Sequence, residues 1–347
     1  MAQSNIYAGV AGYVGRADQV GTVGVFSRAA GSDVWTHPIS EHETYAVHVH
    51  PTDANVVFAG TKDGVYRSTD KGKTFQRANF PGTRQIWSFL VDAQNPKLVY
   101  AGGSPISVYR SEDTGETWKE LPDPGMPDRA VMPFACRVMR MAQHPKKPGT
   151  IFAALEVNGV MRTDNYAESW TDRSADLLRL AEKPHLKSKI VSNTYNEGML
   201  DGHAIAINPA DPDGVIFAAR MGLFQTHDGG ETWQDMDVGR FSPTTYGRDI
   251  KVGADGKTLY AALSVAAASK DGGVYSSTDK GQTWSRYDKV QVHGTIMSVA
   301  PHAKDSNRMV IGARYEGEIY GTEDGGATWE SLPLPAGVKD IYSLALA

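Results

Sequence analysis

The sequence predicts an all-β chain: a single seven-bladed β-propeller of four-stranded antiparallel blades spanning 1–347. Three observations carry that expectation. An eight-residue pattern, Ser/Thr-x-Asp-x-Gly-x-Thr/Ser-Trp/Phe, returns in five intact copies. Between the copies the chain repeats one grammar of short alternating runs, and long helical periodicity is scarce. The last apolar run, Ile341-Tyr342-Ser343-Leu344, matches the start of an internal repeat, Ile86-Trp87-Ser88-Phe89, so the end of the chain supplies the strand the first blade lacks.

The fullest copy of the pattern is Thr226-His227-Asp228-Gly229-Gly230-Glu231-Thr232-Trp233. The others begin at Ser68, Ser111, Ser277 and Thr322, and a worn copy at 163–170 has Asn165 for the Asp and Ala167 for the Gly. The chemistry is that of a tight turn between two strands. Asp accepts backbone hydrogen bonds a few residues on, Gly takes a positive φ, and the aromatic is the first large side chain of the next strand. The motif brings no partner for the carboxylate, so the Asp reads as structural.

The pattern resembles the Asp-box, or bacterial neuraminidase repeat, of sialidases, sortilin-type receptors, xyloglucanases and a photosystem II assembly factor. That resemblance implies a propeller whose Asp-boxes lie on the face away from the active site. The chain departs from the sialidases. It has no Arg-Ile-Pro element near its start, and seven blades are counted where sialidases have six.

Each repeat runs as a strand ending in a turn such as His50-Pro51-Thr52-Asp53, a second strand ending in Ala-Gly or Ala-Ala, and a third that enters the motif. The second to seventh blades are placed at 44–77, 85–121, 137–171, 203–236, 248–287 and 295–332. The first combines 6–9, 24–28 and 34–35 with 341–344, which closes the ring and removes open sheet edges. His50-Pro51, His144-Pro145, Asn208-Pro209 and Asp92 share one turn position, so these histidines read as turn formers. His48 falls where sister blades carry Leu90, Ala142 and Ala206 and reads as a satisfied core histidine.

Composition excludes several classes. A net charge of −5 gives no basic footprint for nucleic acid. A single cysteine, Cys136, excludes an internal disulfide and reads as an ordinary reduced thiol. No run is long enough for a membrane helix, and the first residues lack a basic-then-apolar signal, which points to a cytoplasmic protein, or to a secreted one if a signal has been removed.

Long insertions at 11–22, 123–135, 174–201, 238–247 and 264–271 all fall on the face opposite the Asp-boxes. The largest, 174–201, is expected to carry a short helix around Leu177–Leu180 that serves as a lid. Unusual polar residues collect on the same face. Arg137, Arg220, Arg248 and Arg314 come from four blades and could clamp a carboxylate, with Trp87 and Tyr45 beside them. Glu156, Asp201, His203, Tyr315 and Glu316 are the candidate acids, bases and nucleophiles. The expected function is a hydrolase or lyase, glycosidase-like, acting on a carboxylated small molecule or acidic sugar. The alternative is a non-catalytic scaffold binding a protein or peptide. A divalent metal, Zn or Mn, is a further expectation at the channel, with His203, His293 and Glu43 as ligands and His42 and Asp201 nearby.

Overall fold

A computed structural model describes residues 4–12, 21–130 and 132–347. Seven four-stranded antiparallel sheets form a closed propeller. Blade 1 runs outward from Ile341–Leu346 through Ile6–Val10 and Gly24–Arg28 to Trp35–Ile39, so both ends of the chain share one sheet. The inner strands of blades 2–7 are Thr44–Val49, Gln85–Val91, Val138–Gln143, Gly202–Asn208, Tyr246–Val252 and Thr295–Pro301. Blade count, blade limits and closure agree with the sequence reading. The outer strands do not start at the aromatic: in blades 2–7 each has two residues and begins one position later. The turn consumes the intervening chain, and an outer edge this short gives another sheet little to pair with.

The turn chemistry is visible atom by atom. In blade 2, Asp70 accepts the amides of Lys73 and Thr74, each at 3.0 Å, and the Thr74 hydroxyl at 2.7 Å. Ser68 Oγ donates to the same carboxylate and accepts the Gly72 amide at 2.8 Å. The equivalent hydroxyl and amide of Thr283 hold the Asp279 carboxyl down at about 2. Such groups stay ionised at every physiological pH and serve as turn acceptors. The worn copy keeps the geometry without its glycine. Asn165 accepts the Ser169 amide at 3.0 Å, while Tyr166 and Ala167 take the positive φ values of 59° and 67°. His50 and His144 accept backbone amides in their turns, as expected of turn formers.

Gly72, Gly115 and Gly326 also let their turns approach the rings of Tyr7, Phe58 and Tyr287, whereas Gly230 and Gly281 face the Arg173 and Met236 side chains. A Cβ on Gly326, where φ is +90°, would lie 2.2 Å from Tyr287 Cε1. Gly82 has a similar φ of +67° but nothing within 4 Å of such a Cβ. Gly82→Ala is therefore expected to cost only the left-handed backbone penalty, about 1–2 kcal/mol. Gly326→Ala adds overpacking of a further 1–3 kcal/mol or so. Denaturant melts of the two variants measure the difference, and equal losses would refute the ring contact as the reason for glycine.

The insertion at 174–201 does contain a helix, Ala175–Leu180, but it is not a lid. Leu177, Leu180, Leu186 and Met199 are buried with Phe217, Phe224 and Trp233 in one cluster between blades 4 and 5. Asp176 accepts the Trp233 amide at 2.7 Å and fixes the helix to the blade 5 Asp-box. Farther on, the buried Glu197 carboxylate accepts the amides of Ile190, Val191 and Ser192 and folds the loop around itself. Most of the 11–22 insertion lies outside the described residues.

Candidate functional site

Every inner strand carries one β-bulge near its start. The residues skipped by the pairing register are Tyr45, Trp87, Met139, His203, Arg248, Met297 and Tyr342, one per blade. A bulge re-aims its side chain. Here Tyr45, Trp87, Met139, Met297 and Tyr342, from five different blades, pack on one another with Ala11. Such contact is possible only on the propeller axis. Tyr45 stacks on Trp87 with centroids 4.0 Å apart, and Tyr342 meets both rings edge-on. The result is an apolar plug across the channel at the loop-bearing face. Glu43 supports it by accepting the Gly12 amide at 2.8 Å and the Tyr45 hydroxyl at 3.2 Å. Burial, reinforced by that carboxylate, raises the Tyr45 phenol far above its ordinary value.

Two polar groups flank the plug. Over blades 5–7, Arg220 Nε lies 3.0 Å from Asp201 Oδ2, and His203 lies 3.4 Å from the same oxygen. His203 Nδ1 faces the Gly247 carbonyl at 2.8 Å, which can only accept, so Nδ1 carries the proton. Nε2 then accepts from the Tyr246 hydroxyl at 3.1 Å. Burial lowers the His203 pKa and keeps the ring neutral. Burial would raise the Asp201 carboxyl, but the Arg220 guanidinium beside it outweighs burial and holds it below the usual carboxylate range. Asp201 is therefore a permanent counter-ion with no proton to give. Arg248, 9 % exposed, has neither a hydrogen bond nor an ion pair with any described residue. Arg314 donates to the Ala267 carbonyl at 2.6 Å and lies over Tyr342.

Over blades 2–4 a 370 Å³ pocket is lined by Tyr45, Lys62, Arg84, Gln85, Trp87, Phe134 and Arg137, with no acidic residue. The Arg137 guanidinium sits 4.0 Å over the Trp87 ring and 4.9 Å from that of Phe134, and it is ion-paired with Glu156. Burial pushes the adjacent Cys136 thiol up to about 11, so it is not a nucleophile at neutral pH.

The four predicted arginines thus do not form one clamp. Arg220, Arg248 and Arg314 all act on Tyr246, whereas Arg137 stands with Trp87 and Phe134. Of the predicted acids, Glu156 and Asp201 are paired with arginines, and Glu316 is exposed at the tip of a turn where Tyr315 takes a φ of +88°. The three residues expected to hold a metal have separate partners. His203 has those above, Glu43 supports Tyr45, and the exposed His293 pairs with Glu318 at 3.0 Å. His42 is held by Asp63 and Tyr66. Among the described residues, no group of three or more His, Cys, Asp and Glu is arranged to hold a metal ion. Arg84 and Phe134 went unread because they sit in blade-to-blade links that vary from blade to blade, whereas Lys62 holds the same turn position as Glu156 and Arg220 and was open to the same comparison.

A cavity of 680 Å³ lies at the other end of the channel, among the inner-strand ends and turns of the Asp-box face. His48 lines it, and neither of its ring nitrogens has a hydrogen-bond partner among the described residues. His48 is therefore not a satisfied core histidine. The comparison with Leu90, Ala142 and Ala206 already singled it out, but not the side it faces.

Comparison with known proteins agrees with this architecture. A family model described as Sortilin, neurotensin receptor 3 (Sortilin-Vps10) matches residues 272–346. An oligoxyloglucan-reducing end-specific xyloglucanase of Emericella nidulans is 23% identical over 204 residues, 55% of this chain and 23% of that protein. The vacuolar protein sorting/targeting protein PEP1 of Saccharomyces cerevisiae is 32% identical over 74 residues, 21% of this chain and 5% of that protein. The chain therefore spans under a quarter of the length of either curated relative. Among solved structures, the Niastella koreensis GH74 enzyme superposes with a TM-score of 0.62 at 16% identity, covering 83% of this chain and 45% of that one. YCF48 from Cyanidioschyzon merolae gives 0.56 at 18% identity, covering 86% and 87%. A YCF48 bound to D1 peptide gives 0.51 at 12% identity, covering 83% and 80%. These likenesses are to propellers of the neuraminidase-repeat and sortilin-like kind. No helix among the described residues is long and apolar enough to cross a membrane.

Proposed function

We propose that the chain binds a carboxylated, sugar-like small molecule in the pocket over blades 2–4. The observation that carries this reading is the lining itself: three cations, Lys62, Arg84 and Arg137, beside the aromatic rings of Tyr45, Trp87 and Phe134, with no acid among them. An aromatic face accepts the apolar face of a pyranose, and the cations hold a carboxylate. Glycosidase-like chemistry at this pocket would fall to Glu156. Arg137 holds that carboxylate, and a ligand carboxylate competing for Arg137 would release it. The likeness to a xyloglucanase and to GH74 enzymes supports a sugar ligand.

The test is calorimetry with uronic-acid oligosaccharides and their neutral counterparts. Acidic sugars are expected to bind, and Arg84→Ala and Lys62→Ala are each expected to weaken them about tenfold, the share of one exposed charge-assisted contact. Glu156→Gln should keep binding and lose any hydrolysis. Equal binding of neutral sugars, or no saturable binding at all, would remove the reading. A peptide-binding scaffold is the second reading. It is supported by the exposed Val191 and Tyr195 on the 188–198 loop, with Lys189 4.3 Å over the Tyr195 ring, and by the likeness to YCF48 bound to D1 peptide.

A further inference from the structure

The cavity on the Asp-box face is lined by two layers of inner-strand positions that can be compared blade by blade. In the layer directly after the bulge, the sister blades carry Ala46, Ser88, Ala204, Ser298 and Ser343, whereas blades 4 and 6 carry Arg140 and Asp249. Two residues farther along the strands, the sisters carry Leu90, Ala142, Ala206, Ala300 and Ala345, whereas blades 2 and 6 carry His48 and Lys251. The blade template therefore asks for small or apolar side chains, and four charged or titratable ones replace them: His48, Arg140 and Lys251 line the cavity, and Asp249 stands behind Lys251.

Their bonding is incomplete in one direction. The Asp249 oxygens accept the amides of Ile250 at 3.0 Å and Val299 at 2.9 Å, and one lies 3.5 Å from Lys251 Nζ. Asp249 thus offsets one cation. Arg140 donates only through Nη1, to the carbonyls of Trp87 and Met139, so its Nε and Nη2 find no acceptor among the described residues. His48 has no partner for either nitrogen, as above. Burial, and then the charges of Lys251, His50 and Arg140, push the His48 imidazole down to about 4, so it is neutral at pH 7. Donors aimed into a walled space without an acceptor lack the one thing a ligand can bring.

We propose that this cavity is a second ligand site, for a small oxyanion: a carboxylate or a phosphate borne by a small molecule. Arg140 and Lys251 hold it by charge-assisted hydrogen bonds, and His48 donates a third. The aromatic plug seals the site from the loop-bearing face, so the anion enters past the Asp-box turns. An anion beside His48 favours the imidazolium, so binding takes up a proton. Affinity then rises as pH falls toward the lowered His48 pKa, by up to about tenfold per pH unit. Arg140, Lys251, Asp249 and His50 are the charged and titratable groups that modulate this.

The sister blades supply the test variants. Arg140→Ser and Lys251→Ala each restore the repeat pattern. Calorimetry on the whole chain, at fixed ionic strength with chloride as the background, would use inorganic phosphate, succinate and sulfate. The phosphate and succinate arms distinguish the two headgroups, and sulfate, which does not titrate, carries the pH series. Expected are saturable binding of at least one anion, a loss of tenfold or more in both variants, and no change in Lys119→Ala, which removes an exposed outer-strand cation that lines neither pocket. Absence of saturable binding by all three anions, retained affinity in both variants, or an equal loss in Lys119→Ala would overturn the proposal. Should Arg140→Ser fail to fold, the His48 imidazole proton resonance in the unaltered chain decides. A shift that saturates with the anion supports the site, and an unmoved resonance removes it. Failure of uronic-acid binding at the mouth leaves this result untouched.

Discussion

Removal of residues 341–347 is expected to leave the chain unable to fold. Ile341–Leu346 is the innermost strand of blade 1, and its ladder partner in the sheet is Ile6–Val10. Ile341, Leu344 and Leu346 are buried in one cluster with Ile6, Ala8, Val10 and Phe26 from the same blade and Val310 and Ile319 from blade 7. Three such side chains account for about 1.5–3 kcal/mol each, which already approaches the 5–15 kcal/mol that separates a folded domain from its unfolded chain. The loss goes beyond area. Tyr342 belongs to the axial plug, Ser343 Oγ accepts the Val47 amide, and Leu344 N donates to Ser298 Oγ, so three blades lose contacts together. Expression of 1–340 should yield insoluble protein. A soluble truncation with a single cooperative melting transition would show that the ring does not depend on this strand.

Arg220→Ala should be the most damaging single change on the loop-bearing face, for a reason unconnected with ligand. It leaves Asp201, 4 % exposed, as a buried carboxylate without its guanidinium. Breaking a buried pair from one side costs about 3–5 kcal/mol. The pH dependence identifies the cause. In the unaltered chain the Asp201 pKa is lowered, so its contribution is present above the unfolded carboxylate value near 4 and is lost as pH falls through the lowered one. In Arg220→Ala, burial is no longer outweighed and the pKa moves above the unfolded value, so acid relieves the strain by protonating Asp201. The gap between the two proteins should therefore be wide at pH 7 and narrow at pH 4, and Asp201→Asn added to Arg220→Ala should recover part of it. Denaturant melts at the two pH values measure this. A loss under about 1 kcal/mol at pH 7, the size of an exposed pair, would mean that the pair is only surface ornament. It also follows that an activity loss in Arg220→Ala does not identify a substrate clamp.

The sequence was most legible where the same physics is repeated. Asp, Gly and the aromatic recur because each Asp-box turn needs an acceptor, a positive φ and an anchor. The match of Ile341-Tyr342-Ser343-Leu344 to Ile86-Trp87-Ser88-Phe89 was enough to close the ring. Even the worn copy held, because Asn165 accepts the same amide as the Asp it replaces. The site was less legible because it depends on what repeats do not encode. A bulge leaves no mark in a run such as Gln85–Val91, yet it decides that Trp87 turns to the axis. Asp201 and Arg220 were both singled out, but as acid and clamp. Only their 3.0 Å contact shows that each neutralises the other. The helix at Ala175–Leu180 was visible from its leucines, whereas its role was not, because a buried wedge and a mobile cover share one apolar pattern.

The shared sheet of blade 1 has a consequence for biosynthesis. Ile6–Val10 is synthesised about 330 residues ahead of its inner partner, Ile341–Leu346. At typical elongation rates of about 5–20 residues per second, that wait is roughly 20–70 s. Throughout it, the nascent first hairpin presents an unsatisfied apolar edge, and the growing arc of blades has two raw ends. Ring closure waits until Ile341–Leu346 has been made, and the interval before it is when a holding chaperone, or a neighbouring nascent chain, has its opportunity.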